Sequence, residues 1–267
     1  MIFRRLIARL LLLSSLAALA TAAGAQSNLA LPAVKSSMPI LCDCDKDAPC
    51  WKNASPITGF VDLAHGNPVT DQTQARILYD SDNIYVLIEC SDSKPDGITG
   101  RETVRDTLFN QNGHGNFPTN EDYVIVTLDP FLTHQNADIS TFGVNPLGTR
   151  SAQIAGGRAA KAEWNGDWEA SAKRTPSGWI CQMRIPWKML HHPAGGKTVT
   201  IGFDVARFQY RTQTMSIWSN LGPQLFWERE GAWQGVELPK EGFKHTFSAL
   251  PYAIGGVVDG QLAGKTG

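Results

Sequence analysis

The sequence of 267 residues is 42% hydrophobic and nearly neutral, with 24 Lys+Arg against 25 Asp+Glu. Three of those Arg fall in residues 1–25, which hold no acid, so the remainder carries 21 basic against 25 acidic side chains, a formal charge of −4. That balance excludes the basic stripe that nucleic acid demands and a polybasic membrane patch.

The chain opens with Arg4, Arg5 and Arg9, an apolar stretch over residues 10–20, and then Ala23-Gly24-Ala25. This is the layout of a signal peptide cleaved near Ala25, and it predicts a secreted or periplasmic protein. The apolar stretch is too short to cross a hydrocarbon core of about 30 Å as a helix. No later segment is long and apolar enough for a transmembrane helix. Residues 26–37 read as a linker, 38–240 as one β domain, and 241–267, small and polar at their end, as a tail.

Three of the five Cys lie in Cys42-Asp-Cys44-Asp-Lys-Asp-Ala-Pro-Cys50, with Cys90 and Cys181 further on. An exported chain meets oxidising conditions, so a disulfide is expected, with Cys42 and Cys50 the candidate pair. The odd total leaves one thiol over. In the same string Asp43, Asp45 and Asp47 space carboxylates at every second residue, which suits calcium. The Gly and distal Glu of an EF-hand loop are missing, and a solvated acidic turn is the favoured reading.

Further along, the apolar residues recur at a period of two. Val124, Val126 and Leu128 alternate with more polar neighbours, as do Phe142 and Val144, then Trp179, Cys181, Met183 and Ile185, then Val199, Ile201, Phe203 and Val205. Each set is predicted to face a core across a half-buried strand. Residues 84–88 form an unbroken apolar run, as in a strand buried on both faces. Asp80-Ser-Asp-Asn83 separates two strand patterns. Thr175-Pro-Ser-Gly178 has Pro and Gly where a type I turn prefers them. Helical signal is confined to short turns near residues 186–190 and 96–106. The predicted fold is all-β, an antiparallel, jelly-roll-like β-sandwich. Two loops, over about residues 107–120 and 220–231, exceed what hairpins require.

Several strings carry a resemblance. They are Asp71-Gln-Thr-Gln-Ala-Arg76-Ile-Leu-Tyr-Asp80, Asn83-Ile-Tyr-Val-Leu-Ile-Glu-Cys-Ser-Asp92, Asp122-Tyr-Val-Ile-Val-Thr-Leu-Asp-Pro-Phe131, Trp164-Asn-Gly-Asp-Trp168 and Gly178-Trp-Ile-Cys-Gln-Met-Arg-Ile-Pro186-Trp. In that order they resemble the family 9 carbohydrate-binding modules, above all the version at the N-terminus of large outer-membrane proteins of unassigned role. The resemblance implies a jelly-roll sandwich, a sugar end held between two Trp rings, and structural calcium nearby. The three Cys of the opening segment depart from the pattern.

A sugar site needs aromatic platforms for C–H faces and planar polar groups for hydroxyls. Trp51, Trp168 and Trp179 sit in strand patterns and are assigned to the core. Trp164, Trp218, Trp227 and Trp233 lie near loops or strand ends and are the platform candidates, with Asn165, Arg105 and Glu121 as polar contacts. Arg76 and Arg207 read as strand-face ion pairs. Asp122, which closes the long loop, joins Asp43, Asp45 and Asp47 as a calcium candidate. No catalytic or nucleotide motif is present, so the chain is not expected to be an enzyme. The expected function is a non-catalytic module that binds an oligo- or polysaccharide, accessory to carbohydrate breakdown or uptake. One alternative is an interaction domain with an envelope protein partner. A second is a haem-binding electron-transfer domain with Met183, Met189, Met215 or His192 as axial ligands.

Overall fold

The structure, a computed structural model, describes residues 29–107, 120–155 and 167–240. The signal-peptide and tail readings lie outside these residues. Two sheets stack face to face. The smaller holds β3 (Thr73–Tyr79), β4 (Asn83–Ser91), β9 (Gly178–Pro186) and β8 (Glu169–Thr175), in that spatial order and antiparallel throughout.

The larger runs β1 (Ala30–Pro32), β12 (Gly231–Glu237), β10 (Thr198–Gln209), β5 (Tyr123–Asp129), β6 (Ser140–Val144), β7 (Arg150–Gln153). Alongside the second half of β10 lies β11 (Thr214–Ile217), which in turn pairs with β2 (Val61–Asp62). Every pairing in this sheet is antiparallel except β1 with β12. The stretch expected to be a linker thus supplies an edge strand. Its three residues carry too little periodicity to be seen in the sequence.

The expected alternation sets the core. Ile84, Val86 and Ile88, with Cys181, Met183 and Ile185, face Val124, Val126, Leu128, Phe142, Ile201, Phe203 and Val205 from the other sheet, all buried in one cluster. Trp168, Trp179, Trp187 and Trp233 are sealed in it. Trp187 and Trp233 stack at 6.4 Å with rings 5° from parallel, and Tyr79 meets both edge-on. Residues 84–88 are buried on both faces, as expected. Their second face, Tyr85 and Leu87, is covered by the N-terminal segment through Ile40, Cys44, Cys50 and Trp51.

The inner row of β10 turns polar at its end. Arg207, 1% exposed, donates to the carbonyl of Ser91 at 2.6 Å and to the Asp92 carboxylate at 3.3 Å. Gln209 Nε2 donates to Asp71 and Asp92 at 2.7 and 2.6 Å, and Arg211 reaches the same two acids at 2.9 Å. The network ties the larger sheet to the β3 and β4 ends of the smaller one. Arg207 is therefore an ion pair, as expected, but between sheets and buried. Arg76 pairs with Glu89 at 3.2 Å across β3 and β4, as expected.

The turn expected at Thr175-Pro-Ser-Gly178 joins β8 to β9 and packs on the end of β4. A Cβ on Gly178, whose φ is +152°, would lie 1.9 Å from the Cys90 carbonyl oxygen. Gly178→Ala must therefore push two paired strands apart, and the expected loss is about 2 kcal/mol or more. Urea unfolding checks this, and an unchanged midpoint would show the contact to be slack.

Candidate functional site

Because Val126 and Leu128 of β5 and Ile201, Phe203 and Val205 of β10 point inward, the intervening Thr127, Asp129, Gly202 and Asp204 point to the outer face of the larger sheet. The register sets Gly202 beside Asp129 and Asp204 beside Thr127. An outer face is normally wet, yet Asp129 and Asp204 are 0% and 1% exposed. They are covered by Glu230, itself 1% exposed, which lies immediately before β12.

Gly202 makes room for that cover. A Cβ there would sit 2.3–2.6 Å from the Glu230 carboxylate atoms. Asp129 caps the loop that follows β5, accepting the backbone N–H of Phe131 at 3.2 Å and of His134 at 2.8 Å. Leu132 and His134 both adopt left-handed backbone, with φ of 52° and 59°. This turns the His134 ring inward until Nδ1 is 2.9 Å from Glu230 Oε1. The other oxygen, Glu230 Oε2, is buried without a hydrogen-bond partner. Burial, together with the neighbouring Asp129 and Asp204 carboxylates, pushes Glu230 up to about 9. Asp204 accepts N–H groups from Val205 and Ser219 at 2.8 and 3.2 Å and the Ser219 hydroxyl besides. Burial still pushes its carboxyl up to about 7.

The backbone N–H of Glu230 bonds to the Trp227 carbonyl at 3.0 Å, closing the 3-10 turn Trp227–Arg229. The turn that carries Trp227 thus ends on the residue whose side chain is buried against the sheet. Next to it Phe226 is 42% exposed, and the Arg229 guanidinium lies 4.7 Å from its ring centroid. Of the seven Trp among the described residues, six are buried and Trp227 alone is partly exposed.

The other expected site residues fall elsewhere. Trp218 is buried against Phe203, with ring centroids 6.0 Å apart, and Trp233 is at the centre of the core. Both are therefore packing residues; each lies on or beside a strand whose inward direction could not be known from one short apolar run. Trp164 and Asn165 lie outside the described residues, as do 108–119 of the long loop. Glu121 is fully buried, and its Oε2 accepts the N–H groups of Arg101 and Glu102 and the Asn145 side-chain amide at 2.8–3.1 Å. Asp122 likewise accepts from Thr99 at 2.8 Å. Both carboxylates stitch the segment 99–102 onto the start of β5, at the end remote from Trp227, since seven strand residues span roughly 20 Å. Arg105 pairs with Asp106 at 3.0 Å on the surface.

Asp43, Asp45 and Asp47 are exposed, and Asp43 and Asp45 each cap the N–H two residues on at 3.1 Å. All five Cys are unbridged, so the expected Cys42–Cys50 pair is not formed. Cys42 and Cys44 both turn toward Ser171 Oγ, at 3.8 and 3.1 Å, while Cys50 packs in the cluster over β4. Burial raises the Cys42 and Cys44 thiols, the reverse of an activated nucleophile. Met183 and Met189 are sealed in the core, Met215 packs near Tyr123 and Phe208 on the outer face, and His192 lies buried edge-on to Trp187. The four do not converge on one cluster.

Residues 43–230 match the carbohydrate family 9 binding domain-like family, and the chain belongs to it. Solved structures support the fold. One is a family 9 carbohydrate-binding module from Caldicellulosiruptor kristjanssonii in complex with cellotriose. It aligns at a TM-score of 0.52 and 16% identity, over 83% of this chain and 100% of that one. The glucose complex from the same organism aligns at 0.50 and 15%, over 82% and 100%. A candidate carbohydrate-binding protein from Bacteroides uniformis aligns at 0.55 and 14%, over 78% and 99%. The comparison with curated proteins gave no significant match.

The raised Asp204 carboxyl links stability to pH. Its stabilising contribution is complete below the ordinary value of 3.8 and is lost as pH rises toward about 7, because the folded state holds the extra proton in that window. Asp204→Asn mimics the protonated form and keeps the same contacts. In chelator-treated buffer the variant should gain on the parent by up to ~1.4 kcal/mol for each pH unit crossed between pH 4 and 7. Urea unfolding at pH 5 and pH 8 checks this; an equal difference at both would contradict it.

Proposed function

We propose that the chain is a non-catalytic carbohydrate-binding module that takes its sugar on the loop over residues 220–231, with Trp227 as the platform. The observation that carries the reading is the partly exposed indole of Trp227. Trp227 is the described Trp left partly exposed while the others are buried, and it stands on a turn that closes on the backbone N–H of Glu230. A sugar ring offers a flat C–H face and a hydroxyl rim. Trp227 and Phe226 match the first, and Arg229 and Glu228 the second. Membership of the family and the likeness to modules solved with cellotriose and glucose support the same reading.

Catalysis has no place in it. The buried acids at the sheet are engaged with backbone N–H groups or packed beneath the loop rather than set across an open cleft, and the thiols are not activated. Export supports a role outside the cytoplasm, accessory to carbohydrate breakdown or uptake; its basis is the Arg-led apolar start and Ala23-Gly24-Ala25.

Burying one aromatic face is worth about 1.5–3 kcal/mol, so losing it weakens binding by roughly ten- to a hundredfold. On affinity gels cast with α- and β-glucans, and by calorimetry with cellotriose, Trp227→Ala should lose retention by at least about tenfold with its melting temperature unchanged. Trp218→Ala, by contrast, should cost about 3–5 kcal/mol of stability. Retention untouched by Trp227→Ala, or none on any glycan, would overturn the reading.

A further inference from the structure

Asp129, His134 and Glu230 each bring one ligand atom to a common point, with all three atoms within 4.8 Å of one another. Among the described residues this is the group of three or more potential metal ligands that converges so closely. Convergence of acids alone would mean little. Here three independent features accompany it. Glu230 Oε2 is buried, lacks any donor, and belongs to a residue 1% exposed. A carboxylate oxygen only accepts, so facing Asp129 it meets a second acceptor; a cation is what such a pair needs. Gly202 clears a recess in the middle of a central strand that any Cβ would fill. Lastly, two non-glycine residues, Leu132 and His134, hold left-handed backbone, an unfavourable conformation that carries the imidazole into the recess.

We infer that Asp129, His134 and Glu230 form a binding site for a zinc-class divalent ion, which clamps the base of the Trp227 turn to the end of β5. One imidazole nitrogen with two carboxylates is the donor set of zinc, which accepts three protein ligands and a fourth from solvent. Calcium prefers six to eight oxygens and no imidazole. The 2.9 Å between His134 Nδ1 and Glu230 Oε1 is a hydrogen bond of the metal-free site. Tetrahedral ligands about 2.0–2.2 Å from an ion stand about 3.3–3.6 Å apart, so the two groups need part by only about half an ångström to admit one. The rival that needs no metal is a proton shared between Asp129 and Glu230.

The experiment separates the two. The protein is stripped with EDTA and dialysed, then given zinc chloride or calcium chloride, and bound metal is counted after gel filtration while the melting temperature is followed. Zinc should be retained at one equivalent. At a hundredfold excess over its Kd it should raise the melting temperature by roughly 5–10 °C, with calcium having little effect. His134→Asn removes the imidazole while tolerating left-handed backbone. Glu230→Gln keeps the shape and places a donor opposite Asp129. Both variants should lose the zinc equivalent and the shift, whereas Cys42→Ser/Cys44→Ser should keep them. No retained zinc, zinc binding unchanged in His134→Asn and Glu230→Gln, or zinc lost only with the thiols would each overturn the site. Glu230→Gln matching or exceeding the parent's stability in metal-free buffer, with the parent retaining no zinc, would overturn the metal site and establish the shared proton instead.

Discussion

The fold and its site both hang on the two-sided burial of β10. Its inner row, Ile201, Phe203 and Val205, packs against the smaller sheet, and its outer row, Gly202 and Asp204, floors an acidic recess. A strand buried on both faces usually carries apolar residues on both. Here the outer row sets a glycine and a carboxylate ahead of Ala206 and Phe208, and their burial holds because Glu230 lies over the first and Ser219 bonds the second. A one-residue slip of β10 would put Asp204 into the apolar core, so the register is strongly specified.

From that strand the rest follows by contact. At its far end Arg207 and Gln209 leave the apolar layer and close the gap between sheets through Asp71 and Asp92. Such a buried network adds little net stability over apolar packing, but breaking one partner strands the others, so it fixes how the sheets meet. At the near end Glu230 anchors the turn of Trp227. A binding loop is then held by a buried polar cluster rather than by its own apolar contacts.

Much of the fold was legible because period-two burial is a local signal. Trp179, Cys181, Met183 and Ile185 declare their inward face within one strand, and Pro and Gly in residues 175–178 mark the turn that joins it to β8. The Trp of those strands were correctly assigned to the core for the same reason. The site was far less legible. Trp218 and Trp233 looked like loop residues because the runs beside them are short, yet β11 and β12 both turn them inward. Glu121 and Asp122 looked like ligand contacts since they close a long loop; in the fold their carboxylates are consumed by neighbouring N–H groups. The recess is built from Asp129, His134, Gly202 and Glu230, which sit on three separated segments. Only the pairing of β10 with β5 on one side and β12 on the other brings them together. The one local hint was Gly202, a residue without a side chain inside an otherwise regular strand, where another group approaches closely.

A crystal structure of the protein soaked with a bound cello-oligosaccharide tests the whole arrangement at once. A sugar ring lying flat on the Trp227 indole, its hydroxyls toward Arg229 and the turn still seated on Glu230, is the expected result. Sugar held elsewhere with that indole bare would contradict it.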